Sequence, residues 1–308
     1  MAMQKHNCSC FMKANSRILF AFLENQEGTQ LLFRSVKTQF ALMVNKRNFW
    51  FGMFLFLSYC IISYLYSLYI YSGYDVASIR NAASLFIGNE NTPFYSYFKS
   101  LYPFAIILPF SFSHFDDTSL EVNLYYYSRI GKKNFVLSKA IVSFLGSFLI
   151  VFIPFIINIL LNSFTYVENG NTFNGVLFSR EFCGTMVNDA EINASTMFLF
   201  PLYIKNQTLY NLLYSFLMSL FSGVLGFFAF ACSLKIKKLK VLVFVPVYAL
   251  FLITRLTGEA FLYYGDLLEF VMVGLSNGRN IILFLLLCIS IMAYSIYSIK
   301  IEYNSEYL

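Results

Sequence analysis

The sequence predicts an all-α polytopic membrane protein, and three observations support this prediction. Of the 308 residues, 58% are hydrophobic and only 12% are charged, about half the ~25% of charged residues in a soluble domain. Several apolar runs continue for about 20 residues without an acid or a base, long enough for a helix to cross ~30 Å of hydrocarbon. The basic residues between these runs gather in a few clusters, and their positions indicate how often the chain crosses the membrane.

Six transmembrane helices account for the apolar runs. They are expected at 49–70, 94–115, 140–161, 209–232, from 241 onward, and 281–299. The second span contains Pro103 and Pro109. The fifth is short, since 14 residues separate Lys240 from Arg255, and it crosses only if the Arg255 side chain snorkels to the interface.

The distribution of basic residues predicts the orientation of these spans. Sixteen of the 22 lysines and arginines lie before span one, between spans two and three, between spans four and five, or in the tail. A six-span arrangement puts all of them on one side, and the positive-inside rule makes that side cytoplasmic. Both the N- and C-termini are therefore expected in the cytoplasm.

The N-terminal part of the chain differs in pattern from the rest. Residues 1–47 are expected to form a cytoplasmic N-terminal segment, and residues 48–308 a six-span transmembrane domain. In the first segment, apolar side chains fall on one helical stripe: Leu32, Phe33, Val36, Phe40, Met43 and Val44. This stripe favours an interfacial amphipathic helix before the first span, in contact with membrane lipid; a cytoplasmic helix packed on a partner is the alternative.

Two outer loops stand out in this arrangement. The loop at 162–206 is the largest and is acidic. The loop at 257–279 is unusually apolar, because it contains Leu267, Leu268, Phe270, Val271 and Val273. These residues suit a re-entrant segment that dips partway into the membrane, where non-helical backbone needs to be covered by protein; a plain surface loop is the alternative.

Motifs for catalysis and for phosphate binding are missing from the sequence. The GKK at Gly131 lacks the earlier glycine and the Ser/Thr of a phosphate-binding loop. The two histidines offer little material for catalysis or metal binding, so neither an enzyme nor a metal or cofactor site is expected in this chain. The deep positions of the spans carry no ionisable group, which argues against an ion-coupled carrier. Energy for any transport would then enter from outside the membrane.

Polar and small residues inside the spans form two groups. In span four, small residues recur at helical spacing on one face: Ser215, Ser219, Ser222 and Gly226. Because small residues let helices approach closely, the stripe predicts helix packing, with a subunit interface or a pathway lining as alternatives. In span three, Asn158 and Asn162 are candidates for contact with a substrate.

The loop between spans two and three, residues 114–139, is here called the hinge segment. It is longer than a simple reversal of direction needs. If residues 118–127 are helical, acids lie at the start and bases beyond the end, as the helix dipole favours. Aromatic residues and arginine are typical anchors for protein partners, so the segment predicts a docking site for a cytosolic protein. Its candidate residues are Asp116, Asp117, Glu121, Tyr125, Tyr126, Tyr127, Arg129, Lys132, Lys133 and Lys139.

The hinge segment resembles the coupling segment of type-2 ABC exporter permeases, a family with six spans, cytoplasmic ends and an interfacial helix. In that family the segment often contains the pattern S-P-[IV]-S-R-x-x-x-x-x-G-K. SRIGKKNFVLSK, at 128–139, aligns with this pattern without a gap. The matching positions are Ser128, Ile130, Lys132 and Lys139, and the departures are Arg129, Gly131 and Ser138.

The resemblance implies a membrane-spanning permease subunit, located in a bacterial plasma membrane. It would pair with a second copy or a homologue and bind separate ATP-binding-cassette ATPase subunits through the hinge segment. ATP and magnesium would lie on those ATPase subunits, and nothing points to nucleic acid. A non-transporting membrane scaffold or assembly factor, which holds a cytosolic partner through the same segment, is the alternative.

Overall fold

The computed structural model describes residues 30–74, 81–88, 94–119, 122–166, 199–236, 239–257, 267–273 and 281–304. Over these residues the fold is all-helical, without a β-strand. The helices are α1 (30–45), α2 (Arg47–Ile70), α3 (Tyr95–Ile107), α4 (Ser113–Ser119), α5 (Val122–Ile130), α6 (Lys132–Thr165), α7 (Phe200–Lys205), α8 (Gln207–Ser233), α9 (Phe244–Thr257) and α10 (Ile281–Asn304). Short 3-10 helices lie at Ala82–Leu85, Lys240–Val243 and Leu267–Phe270.

Four of the described helices are long and apolar enough to cross a membrane. They are α2, α6, α8 and the Phe284–Asn304 part of α10. The predictions of an all-helical fold and of an integral membrane protein are confirmed at this level. The central pair is α6 and α8, because 67% of the most apolar stretch of α8 is buried, against 22% in α2 and in Phe284–Asn304.

The region expected to form span two is not one continuous helix. The α3 helix ends at Ile107, residues 108–112 form turns, and α4 begins at Ser113. Pro109 has no N–H to donate to the carbonyl of Ala105, so the regular hydrogen-bond ladder stops there. The side chains at 108–112 are buried, and the protein therefore covers this irregular backbone.

The α1 helix packs against the rest of the chain through a stripe that overlaps the predicted one in part. Ser35, Gln39 and Met43 are buried, and the Ser35 hydroxyl donates a 2.8 Å hydrogen bond to Ser138 in α6. Val36, Phe40 and Val44 are partly buried against the core, as expected. Phe33, however, is 73% exposed, although it lies on the same helical face as Val36 and Phe40, three and seven residues later. The buried face of α1 is therefore rotated toward Ser35 and Gln39 relative to the predicted stripe.

Candidate functional site

The hinge segment forms two short helices, α4 and α5, before it enters α6. Residues 120–121 between them, including the predicted site residue Glu121, lie outside the described residues. Gly131 alone separates α5 from α6. Its φ of +81° lies in a region that glycine adopts readily, and this conformation lets the chain turn from one helix directly into the other.

A buried ion pair fastens α4 to α6. The Lys139 side chain is fully buried, and its ammonium donates hydrogen bonds to the Asp117 carboxylate and, at 3.0 Å, to the carbonyl oxygen of Ser113. The ammonium also lies 4.6 Å from the centre of the Phe135 ring. An ammonium in the interior needs such partners to offset its loss of hydration. Lys139 therefore stabilises the contact between α4 and α6, and its side chain is not exposed to a partner protein.

Other charged residues of the hinge segment contact the helices around it. Lys46, between α1 and α2, forms a 3.2 Å ion pair with Asp116. Lys132 lies 3.8 Å from the Glu302 carboxylate near the end of α10. Lys133 is exposed, and its ammonium lies 5.9 Å from the centre of the Tyr303 ring. These contacts connect the hinge segment to the junction of α1 and α2 and to the end of α10.

The three tyrosines differ in burial: Tyr126 and Tyr127 are partly buried, and Tyr125 is exposed. The Tyr126 ring stacks on Phe135 at 5.1 Å, and the Tyr127 ring meets it edge-on at 5.4 Å. Tyr125, by contrast, is 52% exposed, and the Arg129 guanidinium lies 4.3 Å from its ring. The Ser128 hydroxyl and the Arg129 guanidinium therefore flank the exposed Tyr125 ring on one face of α5. We call Tyr125, Ser128 and Arg129, all exposed, the docking patch.

His114, the first residue of the hinge segment, is buried beside Phe230, with ring centres 6.5 Å apart. Burial and the positive charges of Lys139 and Lys132 lower the pKa of His114 to about 4. The imidazole is therefore neutral near pH 7. Among the described residues, its Nδ1 has no hydrogen-bond partner.

The small-residue stripe of span four lies inside the helix packing. Ser215, Ser219 and Ser222 are fully buried, and each hydroxyl donates to the carbonyl four residues earlier. The carbonyl of Gly226 accepts a 2.9 Å hydrogen bond from Ser143 of α6. A Cβ at Gly226 would lie 2.0 Å from the Ser147 hydroxyl oxygen, so glycine is what allows α6 and α8 to come this close.

Asparagines near the ends of α6 and α8 hold the segment 81–88. The side-chain oxygen of Asn158 accepts from the backbone N–H of Ile87 at 3.1 Å. The amide nitrogens of Asn162 and Asn211 donate to backbone carbonyls of this segment at 3.1 and 2.7 Å. Within 81–88 the N–H groups of Ser84 and Phe86 donate to carbonyls of the segment itself, and the asparagine side chains add partners for other buried backbone groups. We call Asn158, Asn162 and Asn211 the asparagine clamp.

The apolar loop at 257–279 meets the same segment where it is described. Leu267, Leu268, Val271 and Val273 are buried, and the N–H of Val273 donates to the carbonyl of Gly88 at 2.9 Å. The 81–88 and 267–273 segments thus support each other, and both contribute to the hydrophobic core.

Two residues of these sites were missed by the sequence analysis. Asn211 lies four residues before Ser215, so the spacing that defined the small-residue stripe extends to it. Lys46 was counted only as a topological charge, and nothing near it in the sequence indicates a partner at Asp116.

In comparisons with known proteins, no protein-family model, curated protein or solved structure matches the chain.

Proposed function

We propose that the chain is the membrane-spanning permease subunit of an ABC exporter. It pairs with a second copy or a homologue, and separate ATP-binding subunits bind the hinge segment and drive it. The observation that carries this proposal is the docking patch: an exposed tyrosine and arginine on α5, whose opposite side is fixed to α6 by Tyr126 and Tyr127. Aromatic and arginine side chains are the common anchors of protein interfaces.

The connection between the hinge segment and α6 suits the transmission of movement. With 34 residues, α6 is ~51 Å long. It begins one residue after α5, and near its other end it carries Asn158 and Asn162. A displacement of the docking patch therefore moves α6 and, through the asparagine clamp, pulls on the 81–88 segment.

Six crossings are compatible with four long helices if two crossings are composite. Lys240–Val243 and α9 follow each other directly, and at ~2.0 and ~1.5 Å per residue they span ~29 Å. This is close to the ~30 Å hydrocarbon thickness. Tyr95–Ile107 with the buried turns at 108–112 forms the other composite crossing. Both termini and the hinge segment then lie in the cytoplasm, as the basic residues favour.

The outward face of α1 supports an interfacial position. Phe33 and Leu42 are exposed at the two edges of the face that does not pack on the core. Arg34 and Lys37 are also exposed, and such basic residues favour contact with the anionic lipids of a bacterial plasma membrane. We therefore place α1 at the inner interface.

The test is stimulation of ATP hydrolysis by the permease. The chain is reconstituted with an ATP-binding-cassette subunit that co-purifies with it, and ATP hydrolysis is measured with and without the chain. The double variant Tyr125→Ala/Arg129→Ala is expected to abolish the stimulation and to leave the melting temperature unchanged, because both side chains are exposed. The matched control is Lys300→Ala, an exposed basic residue of α10.

Undiminished stimulation in the double variant would contradict the docking role of the patch. Binding of a cytosolic partner that has no nucleotide site would instead favour the membrane scaffold.

A further inference from the structure

An apolar groove of about 370 Å³ opens between α6, α7 and α8. This volume falls within the ~300–1,000 Å³ typical of small-molecule sites. The groove is lined by Phe152, Leu202, Leu209, Leu212, Leu213 and Phe216. Every lining side chain is apolar, so the groove offers no polar group to orient a water-soluble ligand.

The position of the groove determines which apolar ligand can reach it. Leu212 and Phe216 are 45% and 44% exposed, although α8 is the most buried of the four long helices. The Phe152 and Phe216 rings, 6.3 Å apart and edge-on, form one wall. Phe152 and Phe216 belong to helices long enough to cross a membrane, so the groove opens toward hydrocarbon, where acyl chains are the surrounding solvent.

A cation lies in α7, three residues after the groove residue Leu202. Lys205 is exposed, and it forms no ion pair with any residue in the described ranges. It follows Leu202 by three positions in α7, which places the two residues on one helical face. It also precedes α8, a candidate membrane span, by two residues, and a lysine at the end of a span can extend its ammonium to the lipid headgroups.

We propose that this groove binds an anionic glycerophospholipid. One acyl chain lies along Phe152, Leu212 and Phe216, and the phosphate contacts the Lys205 ammonium. The groove holds the acyl chain of the lipid, and the Lys205 ammonium favours a negatively charged headgroup. The site requires only that the chain spans a membrane, and it is independent of the proposed transport function.

Native mass spectrometry of the full chain from nanodiscs that contain phosphatidylglycerol and phosphatidylcholine tests this site. We expect one retained lipid, with phosphatidylglycerol preferred about five-fold, the ratio that corresponds to one lysine near the headgroups. Leu212→Trp fills the groove and should remove the retained lipid. Lys205→Gln should keep the lipid and abolish the preference.

The matched control is Ile62→Trp, in a second groove between α2 and α3 that is lined partly by serine and tyrosine side chains. It should leave both lipid retention and lipid preference unchanged. Melting temperatures show whether each variant is folded, and Lys205→Gln, an exposed change, keeps the test valid if Leu212→Trp does not fold.

Photoactivatable phosphatidylglycerol should label the peptide that contains residues 209–216. Equal lipid retention and preference in all variants would overturn the proposal. Cross-linking of Leu212→Cys to residues 167–198, or to a second copy of the chain, would also overturn it, because the groove would then be covered by protein.

Discussion

The buried pair of Lys139 and Asp117 makes the sharpest energetic prediction. Lys139 is completely buried, whereas the Asp117 side chain is 22% exposed. Asp117→Asn therefore leaves a charged ammonium in the interior with no carboxylate, and such a change costs about 3–5 kcal/mol. Lys139→Met leaves a carboxylate that still reaches water, so we expect a smaller loss of about 1–2 kcal/mol.

The double variant isolates the interaction between the two charges. Because it leaves no unpaired charge, Asp117→Asn/Lys139→Met should be destabilised by only about 1 kcal/mol. The coupling energy from the four proteins should then be at least about 3 kcal/mol. Asp116→Asn is the matched control: its pair with Lys46 is about one-third exposed on both sides, and such pairs contribute about 0–1 kcal/mol.

The measurement is equilibrium unfolding in mixed detergent micelles, followed by circular dichroism. A loss of unfolding free energy in Asp117→Asn no larger than that in Asp116→Asn would contradict the role of the buried pair. If the free-energy loss of the double variant equalled the sum of the two single losses within about 0.5 kcal/mol, the two charges would have no measurable interaction.

Three further predictions concern helix packing, acid stability and the asparagine clamp. Gly226→Ala places a Cβ 2.0 Å from the Ser147 hydroxyl oxygen and should lower the free energy of unfolding by about 1–3 kcal/mol; Ser147→Gly in the same chain should recover part of it in the same unfolding assay. Since the pKa of His114 is about 4 when folded, against 6.5 for an ordinary histidine, the unfolded state binds the proton first as pH falls. Stability should therefore drop by about 2 kcal/mol between pH 7.5 and 5, and thermal melts of His114→Phe that show the same drop would contradict this assignment. Asn162→Leu removes the 3.1 Å bond to the Leu85 carbonyl and should weaken protection of 81–88 by about 1–3 kcal/mol in hydrogen exchange, with protection of α2 unchanged.

The sequence predicted the docking segment but not which of its side chains are exposed, because exposure depends on packing in the folded chain. The segment itself was recognisable from its acids, tyrosines and bases. The sequence did not indicate which tyrosine faces outward. Tyr126 and Tyr127 contact Phe135 only because the chain turns at Gly131. Asp116 finds Lys46, 70 residues away, and no local pattern marks such a pair.

For the membrane spans, too, the sequence predicted the long helices but not the break in one of them. Uninterrupted apolar runs predicted the long helices α2, α6 and α8, because a helix that pairs its own backbone groups is the simplest way to place such a run in hydrocarbon. The run at 94–115 is less apolar, since it contains Lys99, and it breaks at 108–112. Pro109 prevents one hydrogen bond, but the break survives only because neighbouring side chains bury the turns.

The sequence by itself therefore determined that the chain is helical, that it belongs in a membrane, and where its long apolar helices lie. These properties depend on composition and on local spacing. Only the tertiary structure decided which faces are covered: Ser35 rather than Phe33 in α1, and Tyr126 rather than Tyr125 in α5. The physical reason is that burial depends on partners distant in sequence, such as Ser35 and Ser138, 103 residues apart, and packing selects those partners for the whole chain at once.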